Sequence, residues 1–325
     1  MQNRLSRYRR TLLSGSIVVA LLLVAPALVS AKPTISELRV EASGARALAP
    51  GHFFVNDTAR FRTDTRPACG GSGELRTVSN PSALGILRFG SRVDRDLRPV
   101  GASDQFGFGL FVCGIGDFVG DASKFWLFKV NHVSPQVGAD QTPIKRGDKV
   151  LWYFVDTAIG ANTGNELELR GPHRARTGER ATLQVVEYDA EGKAKPAAGV
   201  LVRGAGTTVR TGADGRLRTA SLPEGRVALR AYRRGDIPSE LIKVCVNADL
   251  SECPAARGEV ILGTPRGDVV KGTKGADLVI TGNGDDRIDV RDGQPDRVRC
   301  GRGIDRVLAD RSDKFRRSCN EVVVE

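Results

Sequence analysis

The sequence predicts a multidomain, mainly β protein: an α+β module with one short helix, a β-sandwich, and a short C-terminal coil of parallel strands. Three observations carry this. Apolar and polar residues alternate in short runs bounded by turn residues. Between about 166 and 247, turn signals recur every eight to twelve residues, the spacing of a sandwich. From Gly263 to Asp310 an aspartate returns at a step of nine or ten. A length of 325 residues suits roughly two or three domains of ordinary size.

Residues 1–31 read as a signal peptide. Arg4, Arg7, Arg9 and Arg10 form a basic start, Leu12 to Val29 an apolar stretch, and Val29-Ser30-Ala31 a small-residue cleavage site. The alternative is an uncleaved anchor, because about 18 apolar residues approach the minimum for a spanning helix. Four of the net +11 charges lie here, leaving +7 spread thinly over the rest. Without a basic run or interleaved aromatics, nucleic acid is not an expected partner.

Residues 32–165 form the first expected domain. Ile35, Leu38 and Val40 alternate with charged residues and predict a strand from Ile35 to Ala42. Asn80-Pro81 reads as an N-cap followed by proline at the first helical position, opening a helix through Ala83, Leu84 and Leu87 to Gly90. Strands are expected at Phe108 to Cys113, Phe125 to Val130 and Val150 to Val155, with turns at Asn131-His132 and Gly138 to Asp140.

Trp126-Leu-Phe-Lys-Val-Asn131, Val137-Gly-Ala-Asp140 and Gly147-Asp-Lys-Val-Leu-Trp152 resemble the transcobalamin-like C-terminal domain of many bacterial surface proteins, over roughly Ser36 to Asn165. The resemblance implies a compact β-grasp-like module. In animal cobalamin carriers the related domain closes over the corrinoid. The resemblance therefore makes Trp126 and Trp152 candidate ligand stackers, against the plainer reading of both as core aromatics. His132 stands where the family has the glycine of an Asn-Gly turn. It reads as a solvated turn residue, with a ligand or metal contact as the alternative.

Residues 166–247 carry short strands at Ala181 to Val186, Gly199 to Val202, Thr207 to Thr211, Leu217 to Ala220, Arg226 to Ala231 and Leu241 to Val246. Pro196 to Val202, Gly212 to Arg216 and Leu222-Pro-Glu-Gly225 resemble carboxypeptidase regulatory-like and bacterial immunoglobulin-like spacers. That resemblance implies a projecting module without chemistry. Residues 248–257 read as a disulfide-closed linker.

The aspartate array fills residues 258–325. Asp268, Asp277, Asp286, Asp296 and Asp305 are each followed two places on by an apolar residue: Val270, Val279, Ile288, Val298 and Val307. The period matches the calcium-binding nonapeptide G-G-x-G-x-D-x-U-x of β-helices. Gly272, Gly275, Gly282 and Gly284 lead into the acids, turning the chain and leaving carbonyls accessible. Carboxylates and carbonyls are the hard oxygen ligands that calcium takes.

The array resembles hemolysin-type (RTX) repeats, in which two nonapeptides make one coil of a parallel β-roll. On that rule Asp268 pairs with Asp286, Asp277 with Asp296, and Asp286 with Asp305. The array is degenerate. Thr264 and Arg266 replace glycines, and Gln294-Pro295 adds a residue expected to put the last two pairs out of register. Thirteen basic residues balance thirteen acidic ones from Gly258 onward, and Arg287, Arg297 and Arg306 adjoin the acids. Nearby positive charge opposes a dication by roughly 1 kcal/mol per close pair in water. Asp268 with Asp286 is thus the expected best site.

Six cysteines follow the leader, an even count that argues for disulfides in an exported chain. The domain boundaries leave Cys69–Cys113, Cys245–Cys253 and Cys300–Cys319. The alternative, zinc, has no C-x-x-C to support it. No catalytic motif is found: His52, His132 and His173 lie in unrelated segments, and G-x-S-x-G, H-E-x-x-H and the P-loop are absent. The expectation is a secreted or surface non-catalytic protein that binds calcium, with an extracellular protein, glycan or small molecule as partner. A corrinoid-like ligand in the N-terminal domain is the second reading, and an exported enzyme with an unrecognised site the third.

Overall fold

The computed structural model describes residues 34–42, 47–56, 58–78, 81–204 and 206–325. The expected signal segment and Asn80 lie outside them. The fold is mainly β, with several sheets and one α-helix among the described residues.

The N-terminal module comprises β1 (Thr34–Glu41), β2 (Ala47–Asn56), β3 (Ala59–Arg62), β4 (Leu75–Val78), α1 (Ala83–Val93), β5 (Val100–Ser103), β6 (Phe111–Ile115), β7 (Phe118–Val119), β8 (Lys124–Val130) and β9 (Lys149–Asp156). Period-2 alternation makes β1 two-faced. Leu38 and Val40 point into a core with Leu84, Leu87, Trp126 and Trp152. Glu37, Arg39 and Glu41 point the other way and are also buried.

The helix departs from the sequence reading at both ends. Its N-cap is Ser82, whose hydroxyl accepts the Gly85 N–H at 3.0 Å. It runs past Gly90 to Val93. Gly90 is there for close approach, because a Cβ would lie 2.4 Å from Leu38 Cδ2. The strand expected from Phe108 begins at Phe111 instead.

The sandwich comprises β10 (Glu166–Arg170), β11 (Arg174–Arg176), β12 (Arg180–Tyr188), β13 (Ala194–Pro196), β14 (Leu201–Gly204), β15 (Thr207–Arg210), β16 (Arg216–Ser221), β17 (Gly225–Tyr232) and β18 (Ile242–Asn247). β10, β12, β13 and β16 form one sheet, and β11, β18, β17, β14 and β15 the other. Leu167, Val185, Val202, Leu229 and Val244 fill the space between them.

A buried charge network joins this module to the first. Arg39 Nε donates to Glu41 Oε1 at 2.9 Å, Arg230 pairs with Glu41, and Lys129 Nζ donates to the Asp189 carbonyl at 2.8 Å. His132 belongs to it as well, 3.0 Å from Glu166 and stacked on Tyr188. The expectation of a solvated turn histidine is corrected: a positive φ at Asn131 and His132 turns the ring into the junction.

The C-terminal coil comprises β19 (Val260–Leu262), β20 (Val269–Lys271), β21 (Leu278–Gly282), β22 (Arg287–Asp289), β23 (Arg297–Cys300), β24 (Arg306–Ala309), β25 (Lys314–Phe315) and β26 (Glu321–Val324). β20, β22, β24 and β26 stack in parallel as one wall. The other wall is not a separate sheet. β19 pairs with β2 through Ile261↔Phe53 and Leu262↔Phe54. An eight-stranded sheet therefore runs β25-β23-β21-β19-β2-β1-β9-β8. Stacked coils need a cap at their ends, and β2 supplies the first, with Ile35 completing the coil's core.

All three disulfides are closed: Cys69–Cys113, Cys245–Cys253 and Cys300–Cys319. Cys300 and Cys319 occupy neighbouring coils with Cα atoms 5.0 Å apart, close to the ~4.8 Å spacing of adjacent strands.

Candidate metal centre

Alternation along each short coil strand turns Val270, Val279, Ile288, Val298 and Val307 inward, all at most 2% exposed. The aspartates two places earlier sit at the corner before each strand, where their side chains are buried too. They form two ladders. In one, the Asp268 N–H donates to Asp286 Oδ1 at 2.9 Å, Asp286 to Asp305 Oδ1 at 3.1 Å, and Asp305 to Asn320 Oδ1 at 2.9 Å. In the other, Glu259 donates to Asp277 Oδ1 at 2.7 Å, Asp277 to Asp296 Oδ1 at 2.7 Å, and Asp296 to Asp313 Oδ1 at 2.9 Å.

The sequence-derived pairs are thus brought together, and each pair is bridged by a backbone N–H. The inserted residue does not throw the last two out of register, since both ladders continue through it. A register irregularity between Ile280 and Gly282 lies in the same pair of coils.

The second carboxylate oxygen separates the aspartates into two groups. Four residues before Asp268 stands Thr264, whose N–H reaches Asp268 Oδ2 at 2.6 Å and whose hydroxyl reaches Oδ1 at 3.0 Å. Thr273 does the same for Asp277, at 2.6 and 2.7 Å. At the equivalent place ahead of Asp286, Asp296 and Asp305 stand Gly282, Asp292 and Gly301, none of which carries a hydroxyl, although the neighbouring Thr281 hydroxyl acts on the Asp286 carboxyl and partly offsets its burial. Oδ2 of Asp286, Asp296 and Asp305 is buried without a hydrogen-bond partner, as is Oδ2 of Asp292. The departure at Thr264, read in the sequence as degeneracy, closes the first carboxylate on the chain itself. The expected best site, Asp268 with Asp286, therefore has only one open member.

Burial pushes Asp286 up to about 6, with the Asp268 and Asp305 carboxylates adding to it. It pushes Asp296 up to about 7, where Asp292, Asp277 and Asp313 add their charge. Asp292 is raised by burial in the same way. Hard, buried, anionic oxygens of this kind suit a calcium ion or a proton. Arg287, Arg297 and Arg306 do not fill the role, because they lie exposed on the outside of the coil.

The glycines act mainly through space. Gly282 and Gly284 take positive φ, at 96° and 114°. Gly272 and Gly275 do not, and a Cβ on Gly275 would lie 2.0 Å from the Arg257 carbonyl oxygen. At Gly301 the same atom would fall 1.5 Å from the Gly282 oxygen. Coil-on-coil contact, rather than turning alone, demands glycine here.

Trp126 and Trp152 are each 2% exposed. Their indole N–H groups donate to the carbonyls of Phe118 at 2.9 Å and Ala83 at 3.2 Å. They hold the core and floor an apolar groove. His52 and His173, distant in sequence, line one cleft of about 400 Å³ where the three modules meet. His173 Nε2 bonds the Ala255 carbonyl at 2.6 Å. Among the described residues, the one close three-member set of metal-ligating types is Asp64, Cys69 and Cys113. Its cysteines are joined to each other and its carboxylate holds Arg66, so it has no free ligands.

A family model described as "Domain of unknown function (DUF4430)", a transcobalamin-like-associated domain, matches residues 99–156. No curated protein and no solved structure matches the chain. From β5 to β9, the N-terminal module is similar to that transcobalamin-associated domain.

Proposed function

We propose that this is an exported, non-catalytic binding or structural protein whose C-terminal coil is stabilised by calcium. The observation that carries the reading is the set of buried, unpartnered Oδ2 atoms on Asp286, Asp296 and Asp305. An ionised oxygen shielded from water without a donor costs several kcal/mol unless a proton or a cation meets it. Steps of ten and nine bring such oxygens to successive corners of the coil, as the resemblance to hemolysin-type repeats would have it, and Asp292 adds a further open oxygen beside Asp296. The export reading is supported by three disulfides, which persist in oxidising compartments. Among the described residues, no helix is long and apolar enough to cross a membrane. The immunoglobulin-like sandwich serves as a spacer in this reading. The corrinoid reading draws less support, since both tryptophan rings are buried and their N–H groups engaged.

The test is calcium titration of the intact, oxidised chain by calorimetry and thermal unfolding. Saturable binding is expected, with about 2.7 kcal/mol of added stability at a hundredfold excess over Kd. Asp296→Asn and Asp286→Asn keep the ladder acceptor and remove the charge, so each is expected to weaken calcium binding at least tenfold. Asp268→Asn, whose site Thr264 already satisfies, is expected to bind within about twofold of the parent. A chain blind to calcium, or equal losses from Asp268→Asn and Asp296→Asn, would defeat the reading.

A further inference from the structure

Two carboxylate oxygens of a single turn, Oδ2 of Asp292 and Oδ2 of Asp296, are buried without a hydrogen-bond partner. The turn is Asp292-Gly-Gln-Pro-Asp296, in the unit that carries the extra residue. The corner before it on the same ladder shows what has changed. There Thr273 stands four residues ahead of Asp277. Its hydroxyl accepts the Gly275 N–H at 3.3 Å and donates to Asp277 Oδ1 at 2.7 Å, while its own N–H donates to Asp277 Oδ2 at 2.6 Å. Asp292 repeats the first of these bonds, Oδ1 accepting the Gln294 N–H at 2.7 Å, and so takes the place of the threonine. It repeats neither of the others. An ionised carboxylate has no proton to donate, and the Asp292 N–H is drawn to Asp310 Oδ2 in the next coil at 2.8 Å. Proline at 295 offers no N–H either. Where the earlier corner sets a hydroxyl against a carboxylate, this one sets two carboxylates together.

The charges acting most strongly on the pair are all negative. On Asp296 they are those of Asp292, Asp277 and Asp313, and on Asp292 those of Asp277, Asp310 and Asp313. Arg291, next in the chain, turns away to Asp289 and Glu325. Asp277, Asp310 and Asp313 already accept main-chain N–H groups, so their part is to add charge. The turn itself is held from two further sides. The Gly293 N–H also donates to Asp310 Oδ2, at 2.7 Å, and Gln294 Oε1 accepts the Ala255 N–H at 3.1 Å. Asp286 and Asp305, by contrast, have glycine four residues earlier and no second carboxylate within their own turn. A proton can meet one of two open oxygens, whereas a dication meets both and relieves their repulsion. Calcium accepts irregular sets of about six to eight oxygens, to which main-chain carbonyls and water contribute, while magnesium demands a near-ideal octahedron.

We propose that the Asp292–Asp296 turn is the tightest calcium site of the coil, with the ion held between two carboxylates of one turn rather than between aspartates of successive coils. The proposal rests on the calcium reading above and makes Asp292, a residue outside the aspartate step, a direct ligand. The inserted residue that breaks the repeat is then what builds the site.

The test is calorimetric titration of the intact, oxidised chain with calcium after stripping with EDTA. The first ion is expected to bind at about one per chain, and at least about tenfold more tightly than magnesium. Asp292→Asn keeps the Oδ1 acceptor for the Gln294 N–H and removes the charge. Asp292→Thr restores the side chain that closes the earlier corner. Both are expected to weaken the first ion at least tenfold, as Asp296→Asn does, without lowering the melting temperature in EDTA. Should one variant fail to fold, the other still decides. A parent chain that binds no calcium would defeat the calcium reading and this proposal with it. Calcium binding that survives the Asp292 substitutions within about twofold would overturn this proposal alone and leave the ion between coils.

Discussion

The imidazole of His132 lies flat on the phenol of Tyr188, with ring centroids 3.7 Å and planes 3° apart. The Tyr188 hydroxyl in turn donates to Glu168 at 2.7 Å and accepts from Arg170 at 2.6 Å. One ring belongs to the turn after β8 and the other to β12, so the contact ties the N-terminal module to the sandwich. His132→Ala is expected to cost about 1–3 kcal/mol, from a lost ring contact and a less well paired Glu166. His132→Phe should recover the stacking part only. Urea unfolding of the three proteins checks this; a loss under about 0.5 kcal/mol for alanine would show that the stack contributes nothing.

Calcium-free stability should depend on pH in an unusual direction. Burial holds Asp286 at about 6 and Asp296 and Glu259 at about 7, above the ordinary carboxylate value of about 4. A carboxyl raised on folding binds its proton more tightly in the folded state. Its contribution is full below about pH 4 and is lost as pH rises through 6 to 7. His52, lowered by burial, acts oppositely over part of that window and is outnumbered by the raised carboxyls. In EDTA the melting temperature is therefore expected to fall between about pH 5 and pH 8. Asp286→Asn with Asp296→Asn should flatten the slope, and a rising melting temperature in the parent would contradict the assignment.

The Cys300–Cys319 bridge closes a 19-residue separation around the last coil. Replacing both cysteines by serine is expected to cost about 3 kcal/mol in the chain-entropy picture. Hydrogen exchange should show the loss concentrated after Gly301, with the sandwich amides unchanged.

Residues 258–325 expressed alone should not fold cooperatively. Their first strand relies on β2 for one side of its pairing and on Ile35 for part of its core. Circular dichroism and a denaturant curve decide this. A sharp, reversible transition in the fragment would mean that the coil caps itself.

Where the chemistry of a position is local, the sequence announced it. The inward set from Val270 to Val307 and the aspartate step could be read directly, because each coil repeats the same choice between apolar and acidic. The distinction between Asp268 and Asp296 was also written there, in Thr264 and Asp292, but only the geometry shows that a threonine four residues earlier consumes the carboxylate. Other features had no local signal. His132 meets Tyr188 across more than fifty residues, and β2 meets β19 across some two hundred. Glu37, Arg39 and Glu41 are the charged residues that alternate with Leu38 and Val40 in β1. They are buried because a second module, with Arg230 in it, covers them.

The shared sheet has a mechanical consequence. Tension applied at Glu325 enters the coil through β26 and its wall of β24, β22 and β20, while the other wall, from β25 to β19, joins the coil to β2 and β1. Parallel coils stacked this way yield from the free end, one turn after another, because each is held only by its neighbour. The Cys300–Cys319 bond interrupts that sequence, since chain between the two sulfurs cannot be paid out. Single-molecule pulling from the C-terminus should show a first extension shorter by the contour of the bridged residues, restored on reduction. In that sense the clasp is a ratchet stop, passing the load through its two sulfurs to the coils behind while the residues between them stay closed.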